Sequence, residues 1–163
     1  MKKYYSHALL YLHETISLGS GRSDRFTEQF GEIYQPMMEQ LGARLFAMWE
    51  ATPYNGHWPQ VTLIWEIDAF AEYARIGRAQ ASGGTHHEAA VAWSDYLAGI
   101  GASGEGRMMY AGRSNRSLAQ LREAGVGAGL VIQEIMQTKP GRQDDYIREL
   151  ERVYVPWSER TGK

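Results

Sequence analysis

One stretch of this chain is written twice. Residues 9–42 read LLYLHETISLGSGRSDRFTEQFGEIYQPMMEQLG, and residues 129–162 read GLVIQEIMQTKPGRQDDYIRELERVYVPWSERTG. They align without a gap at a constant shift. Leu10 falls on Leu130, Glu14 on Glu134, Gly21 on Gly141, Arg22 on Arg142, Asp24 on Asp144, Tyr34 on Tyr154, Pro36 on Pro156 and Glu39 on Glu159. Apolar positions are kept as well: Leu12 with Ile132, Ile16 with Met136, Phe26 with Tyr146, Phe30 with Leu150 and Ile33 with Val153. A repeat of this kind constrains the fold more than any single motif, because each copy encodes one supersecondary unit.

Each copy reads as a strand followed by a helix. In the first, residues 8–17 alternate around aliphatics as a half-buried strand does. Leu18–Gly21 is a turn. Ser23 is the expected N-cap, and Asp24 follows in the first turn, where a carboxylate is favoured. Phe26, Phe30, Ile33, Met37 and Leu41 then recur at helical spacing. Pro36 lies inside that run, so it removes a backbone donor and bends the helix. Gly42 is the expected stop.

Between the copies the pattern changes. Residues 44–51 (RLFAMWEA) and 60–67 (QVTLIWEI) read as two strands joined by the turn-rich segment 52–59, hence an antiparallel hairpin. Asp68 is the expected cap of a helix carrying Phe70, Tyr73, Ala74 and Ile76. Gly83-Gly84 breaks it from a further helix through Ala89, Ala92, Trp93, Tyr96 and Leu97. The segment RMMYA, within 104–112, is the fourth strand, and 113–126 is a short helix plus connector. The order through residue 112 is β-α-β-β-α-β, the ferredoxin-like arrangement of an α+β protein. Residues 1–112 therefore form the domain, 113–126 the connector, and 127–163 a partial second repeat of one strand and one helix.

A lone strand–helix unit cannot bury both of its apolar faces. Tyr146, Leu150, Val153, Tyr154 and Trp157 need a partner, so this segment is expected to pack intimately, across a dimer. It is either the opening of a further unit or a piece that joins the first. The antiparallel sheet adds its own demand, because helices on one face leave the other bare. Both arguments point to a homodimer.

The bulk numbers narrow the function classes. With 163 residues, 44% hydrophobic and 22% charged, the chain is globular. Seventeen basic and 19 acidic residues give a net charge of −2 with no basic run, which argues against nucleic acid. Cysteine is absent, so disulfides and thiolate chemistry are excluded. The apolar run near the start is short and broken by His13 and Glu14, unlike a signal peptide or membrane span. The expected location is the cytoplasm.

Three pieces of sequence resemble the NIPSNAP-like proteins of the dimeric α/β-barrel superfamily. They are the opening strand leading to Gly21 and helix 23–41; Leu41-Gly42 leading into the strand with Phe46 and Trp49; and PQVTLIWEIDAF, 59–70. The last is similar to the family's Asn-Gln-Val-x-x-x-Trp-x-x-x-Ser-Leu stretch, with Gln60, Val61 and Trp65 matching and Pro59 in place of Asn. The likeness covers most of 8–112 and the half-copy at 128–162. It implies a ferredoxin-like sheet and a dimer. The chain departs from the family at polar positions. Leu12, Glu14 and Ile16 stand where Glu-x-Arg-x-Tyr is usual, and Leu63 where a histidine is. The superfamily hosts many activities, so no reaction follows from the likeness.

The candidate chemistry therefore rests on the residues themselves. Glu14 and Glu134 sit in otherwise apolar strands, where a carboxylate is costly to bury unless paired. Burial would raise its pKa toward that of a general acid or base. The competing expectation is an ion pair, with Arg22 and Arg142 as partners. Glu66 beside Trp65 is a weaker candidate of the same type. His13 neighbours Glu14 but points to the opposite face, so the two form no dyad; it is a base only if it is the inward group. His57 lies in the 52–59 connection, where it could cover a pocket mouth. His86-His87-Glu88 lacks metal-ligand spacing, and no HExxH, Walker loop, GxSxG or GxGxxG occurs. No metal and no cofactor are expected.

Tyr11, Trp49, Trp65, Trp93, Tyr96 and Tyr110 fall on strands and on the helix over the sheet. They read as core or as the lining of a flat pocket between sheet and helices. The resemblance implies that such pockets take aromatic or polyketide-like molecules, often without a cofactor. The expected function is a small cofactor-independent enzyme acting on an aromatic or apolar small molecule by oxygenation, isomerisation or cyclisation. A non-catalytic ligand-binding or protein-interaction module is the alternative.

Overall fold

Strand β1, Leu10–Ser17, organises the molecule because it has a partner on each side. A computed structural model describes residues 9–19, 23–54, 56–112, 115–127, 129 and 131–161. β1 pairs antiparallel with β3, Gln60–Ile67, and with β4, Ser103–Tyr110. β3 pairs antiparallel with β2, Arg44–Glu50, so the sheet order is β2-β3-β1-β4. The period of two along β1 sends Leu10 and Ile16 into the core. Leu12 and Glu14 share that face. Tyr11, His13 and Thr15 share the other with Glu66, Ile64 and Thr62 of β3.

The helix after β1 is two α-helices fused through a π-helical turn. α1 is Ser23–Gln29, the π turn is Phe30–Tyr34, and α2 is Gln35–Gln40. The Gln35 amide donates to the Phe30 carbonyl, five residues back. Pro36 has no N–H to offer Glu32, so the ladder is interrupted there and re-forms one residue wider. Ser23, expected as a cap, is the first helical residue. At the other end the Gly42 amide donates to Glu39 and the Ala43 amide to Met38, with Gly42 at φ 83°. That double bond is a Schellman stop, and its positive φ favours glycine.

α3, Phe70–Ala81, and α4, Thr85–Gly99, complete the helical layer, separated at Gly83-Gly84. Asp68 does not cap α3. Ala69 holds that position, and Asp68 pairs instead with Arg44. The fourth strand begins at Ser103, earlier than RMMYA implied. The core between the layers joins Phe26, Phe30, Tyr34, Met37, Met38 and Leu41 to Val61, Leu63, Trp65 and Ile67, with Trp93 and Ile76 closing it. This is the ferredoxin-like α+β fold, with its sheet open at both edges.

The second copy keeps only its helix. Residues 131–139 form no strand ladder with any described residue, contrary to expectation. β1 is held by β3 and β4 on either side, whereas this segment has neither beside it. The helix follows as α6, Gln143–Glu149, a π turn, Leu150–Tyr154, and α7, Val155–Thr161, after a short α5, Leu118–Glu123. The Val155 amide donates to the Leu150 carbonyl, so the π distortion recurs at the equivalent turn before Pro156. None of the residues in α6–α7 is buried, and Tyr154 and Trp157 are about half exposed. The intimate packing expected of this segment is not met within one chain. Its polar ties to the rest include the Arg116–Glu159 ion pair, 3.1 Å, and a hydrogen bond from Gln133 to His13.

Candidate active site

Glu14 points from the middle of β1 into the helical layer, between Leu63 of β3 and Gly106 of β4. Its carboxylate accepts from the Tyr34 hydroxyl at 3.0 and 3.2 Å, and from Trp65 Nε1 at 2.9 Å. Both donors are neutral. Among the described residues no cation lies within salt-bridge distance of Glu14, and Arg22 falls outside them. Burial pushes the Glu14 carboxyl above its ordinary 4.5, while the Tyr34 and Trp65 bonds pull the other way. Burial also pushes the Tyr34 hydroxyl well up, helped by the adjacent Glu14 charge, so Tyr34 stays a protonated donor.

Around this carboxyl stands an aromatic frame. Tyr34 stacks on Trp93 with ring centroids 5.0 Å apart and meets Trp65 edge-on at 5.7 Å. Trp93 in turn stacks on Tyr96 at 5.6 Å. Beside the frame lies a cavity of about 230 Å³, lined by Glu14, Ile16, Trp93, Leu97 and the 102–106 start of β4. Gly104 and Gly106 open it, since the strand face opposite Ile16 and Glu14 carries no side chain there. A glycine inside a strand marks a close approach of backbone or ligand.

The other carboxylates have different surroundings. Glu66, 1% exposed, lies on the opposite sheet face. It accepts from Tyr11 Oη at 3.0 Å, Arg44 Nε at 3.0 Å and the Leu118 amide at 2.8 Å. Burial, then the Glu66 bond, pushes the Tyr11 hydroxyl up; the Arg44 hydrogen bond holds Asp68 below its ordinary range. All of this ties the 115–118 segment to the sheet and leaves Glu66 outside the cavity. Glu134 is exposed and lies in no strand among the described residues, and Arg142 pairs with Asp145 instead.

The remaining candidates separate by face. His13 is buried on the outer face, so it is not the inward group. Tyr11 and Trp49 are on that outer face too, by register with Glu66 and Thr62. Tyr110 is 58% exposed near the sheet edge. Tyr110 shares the inward face by register with Leu10 but stands at the exposed end of β4, whereas Glu14, Trp65, Trp93 and Tyr96 gather under the helices. His57 is exposed in the β2–β3 connection and lines a different hollow. Sequence reasoning gave no site role to Tyr34, Leu97, Gly104 or Gly106. Two signals were present: a tyrosine 20 residues after each repeated glutamate, and Gly-Glu-Gly inside a strand. Among the described residues no group of three His, Asp or Glu side chains could hold a metal ion. Nor is any described helix long and apolar enough to cross a membrane.

Sheet order, helical cover and inward carboxyl define a class, the ferredoxin-like single-sheet proteins with a sheet–helix pocket. Within it, the fold is that of NIPSNAP family proteins. A NIPSNAP family protein of unknown function from Agrobacterium tumefaciens superposes with a TM-score of 0.55 at 13% identity, covering 69% of this chain and 96% of its own. An uncharacterised NIPSNAP domain protein from Burkholderia xenovorans gives 0.55 at 16% identity, covering 66% and 99%. A candidate antibiotic biosynthesis monooxygenase from Nitrosomonas europaea gives 0.51 at 10% identity, covering 70% and 100%. No family model matches the sequence, and no curated protein does.

Proposed function

We propose that the chain is a small enzyme whose Glu14 moves a proton on an apolar, single-ring molecule held between sheet and helices. The observation that carries this reading is the Glu14 carboxyl on a cavity wall, its pKa raised by burial and its oxygens held by two neutral donors. A base poised nearer neutrality is more effective than a free carboxylate, because it is both available and able to return its proton. Tyr34 and Trp65 orient it. Trp93 offers a flat wall, and Leu97 and Ile16 add apolar lining.

The step favoured is isomerisation. The Glu14 carboxylate takes a proton from carbon next to a carbonyl and gives it back at another carbon, so atoms balance without a further reactant. The size of the cavity supports the substrate class: about 150 Å³ accepts benzene in a designed apolar cavity, against about 230 Å³ here. The monooxygenase description of one structural neighbour keeps oxygenation of a similar ring as the variant reaction.

The test uses a panel of enolisable cyclic ketones and phenols. Binding is read from the fluorescence of Trp65 and Trp93, and proton exchange from deuterium uptake by NMR. We expect Glu14→Gln to retain binding and lose exchange by about 100-fold or more, the usual worth of a positioned base. Gly106→Val, which fills the cavity, should lose both. Exchange undiminished in Glu14→Gln would overturn the enzymatic reading. Binding without exchange in the unsubstituted protein would leave a ligand-binding module.

A further inference from the structure

Trp65 and Trp93 both lie under the helices, and their indole N–H groups have different surroundings. Trp65 Nε1 donates to Glu14 at 2.9 Å. Trp93 borders the same cavity as Glu14 and is 6% exposed, yet its Nε1 donates to no described residue. A buried indole N–H usually has a partner, because a donor left unmatched loses its water without replacement. The ring itself is held on several sides. Tyr34 stacks on it at 5.0 Å and Tyr96 at 5.6 Å, and Phe26 meets it at 5.4 Å. A donor held this firmly, with no acceptor of its own, suits an acceptor brought in by a ligand.

The rest of the lining offers no competing side-chain donor. Ile16, Leu97 and Ala102 are apolar, and Gly104 and Gly106 carry no side chain. Ser103 and Glu105 contribute from the other sheet face, opposite Ser17 and Thr15. Among the described residues no Lys, Arg or His borders the cavity. The polar side chains left on the inward face are the Glu14 carboxylate, an acceptor, and the Trp93 indole, a donor. A molecule that matches both carries an acidic C–H beside a hydrogen-bond acceptor. A ketone has that pair of groups.

We propose that Trp93 is a second catalytic residue, whose Nε1–H donates to the carbonyl oxygen of a cyclic ketone while Glu14 acts on the adjacent carbon. This role rests on the reading of Glu14 as the base. As Glu14 takes the proton, the C–H electron pair forms a carbon–carbon double bond and the carbonyl π pair moves onto oxygen. The oxygen then carries the charge that Glu14 has lost. With no cation in the described lining, that charge needs a fixed donor to replace water. The indole N–H binds the enolate oxygen more strongly than the neutral ketone, so it lowers the barrier rather than only tightening binding. Indole is too weak an acid to give up its proton. The enolate therefore returns to a ketone when Glu14 puts its proton back on carbon. The substrate class narrows to ring ketones, over hydrocarbons of the same shape.

Cyclohexanone and methylenecyclohexane test this, since they share a shape and differ in the oxygen. The indole nitrogens are labelled with ¹⁵N and followed by NMR. Replacing Trp93 by 3-benzothienylalanine keeps the fused ring and puts sulfur in place of the N–H; the signal it removes identifies Trp93. We expect cyclohexanone to move the Trp93 indole N–H signal downfield and methylenecyclohexane not to. The replacement should slow deuterium exchange next to the carbonyl about 100-fold or more, the worth of one oxyanion donor. It should leave methylenecyclohexane binding unchanged. Glu14→Gln should lose exchange and keep the Trp93 shift with cyclohexanone. A Trp93 signal unmoved by millimolar cyclohexanone, or exchange undiminished by the replacement, would overturn the proposal. Exchange undiminished in Glu14→Gln with the Trp93 shift intact would instead overturn the base and leave the Trp93 donor standing, so the two readings fail separately.

Discussion

Glu14 and Glu134 occupy the same position of the repeat and live in opposite surroundings. One is enclosed with Tyr34 and Trp65; the other is exposed on a segment that joins no strand ladder among the described residues. The sequence makes the pair visible, because a carboxylate in an apolar alternation stands out. It cannot say which copy finds a Trp65, since that residue comes from β3, far along the chain. Enclosure has a consequence for stability. The folded protein holds a proton on Glu14 more tightly than the unfolded chain does. Between the ordinary 4.5 and the raised value, the folded state binds more protons, so stability falls as pH rises. Glu14→Gln should remove that contribution. Urea unfolding from about pH 4 to pH 8 should show the variant gaining on the parent as pH rises. A constant difference across the range would contradict the assignment.

At the scale of elements, local rules carried much of the fold. The alternation of β1, the apolar spacing of α1–α2, the Gly42 stop and the Gly83-Gly84 break were all legible. The π turns were not, because a bend at Pro36 can be accommodated by a kink, a break or a widened ladder, and periodicity alone does not choose. Both copies choose the widened ladder before their proline, which places the cause in the repeated sequence itself. The glycines of β4 show the same limit. A Cβ on Gly104 would lie 2.5 Å from the Thr15 carbonyl oxygen, a backbone atom that cannot step aside, whereas one on Gly106 meets only Leu12 Cδ1 at 3.8 Å. Gly104→Ala should therefore cost about 2 kcal/mol of unfolding free energy. Gly106→Ala should cost well under half that in the same urea titration. Equal losses would mean that β4 shifts to make room.

The whole molecule is the scale at which the second copy matters. Leu118 is buried and its amide donates to Glu66, so the connector is stitched to the sheet, whereas none of the residues in α6–α7 is buried. A chain ending at residue 126 should unfold within about 1 kcal/mol of the full chain. One ending at residue 112 should lose about 3 kcal/mol or more, because Glu66 forfeits the Leu118 donor and a buried apolar contact. Thermal and urea unfolding of the two truncations checks this ordering. By itself, the sequence determined the repeat, the β-α-β-β-α-β order and which face of β1 is apolar, because these follow from spacing along a few consecutive residues. Only the tertiary structure decided that Glu14 meets Tyr34 and Trp65 while Glu66 serves the outer face, and that His13 meets Gln133. Those pairings join residues 20 to 120 positions apart, and their geometry is set by strand register and helix packing, which no local pattern encodes.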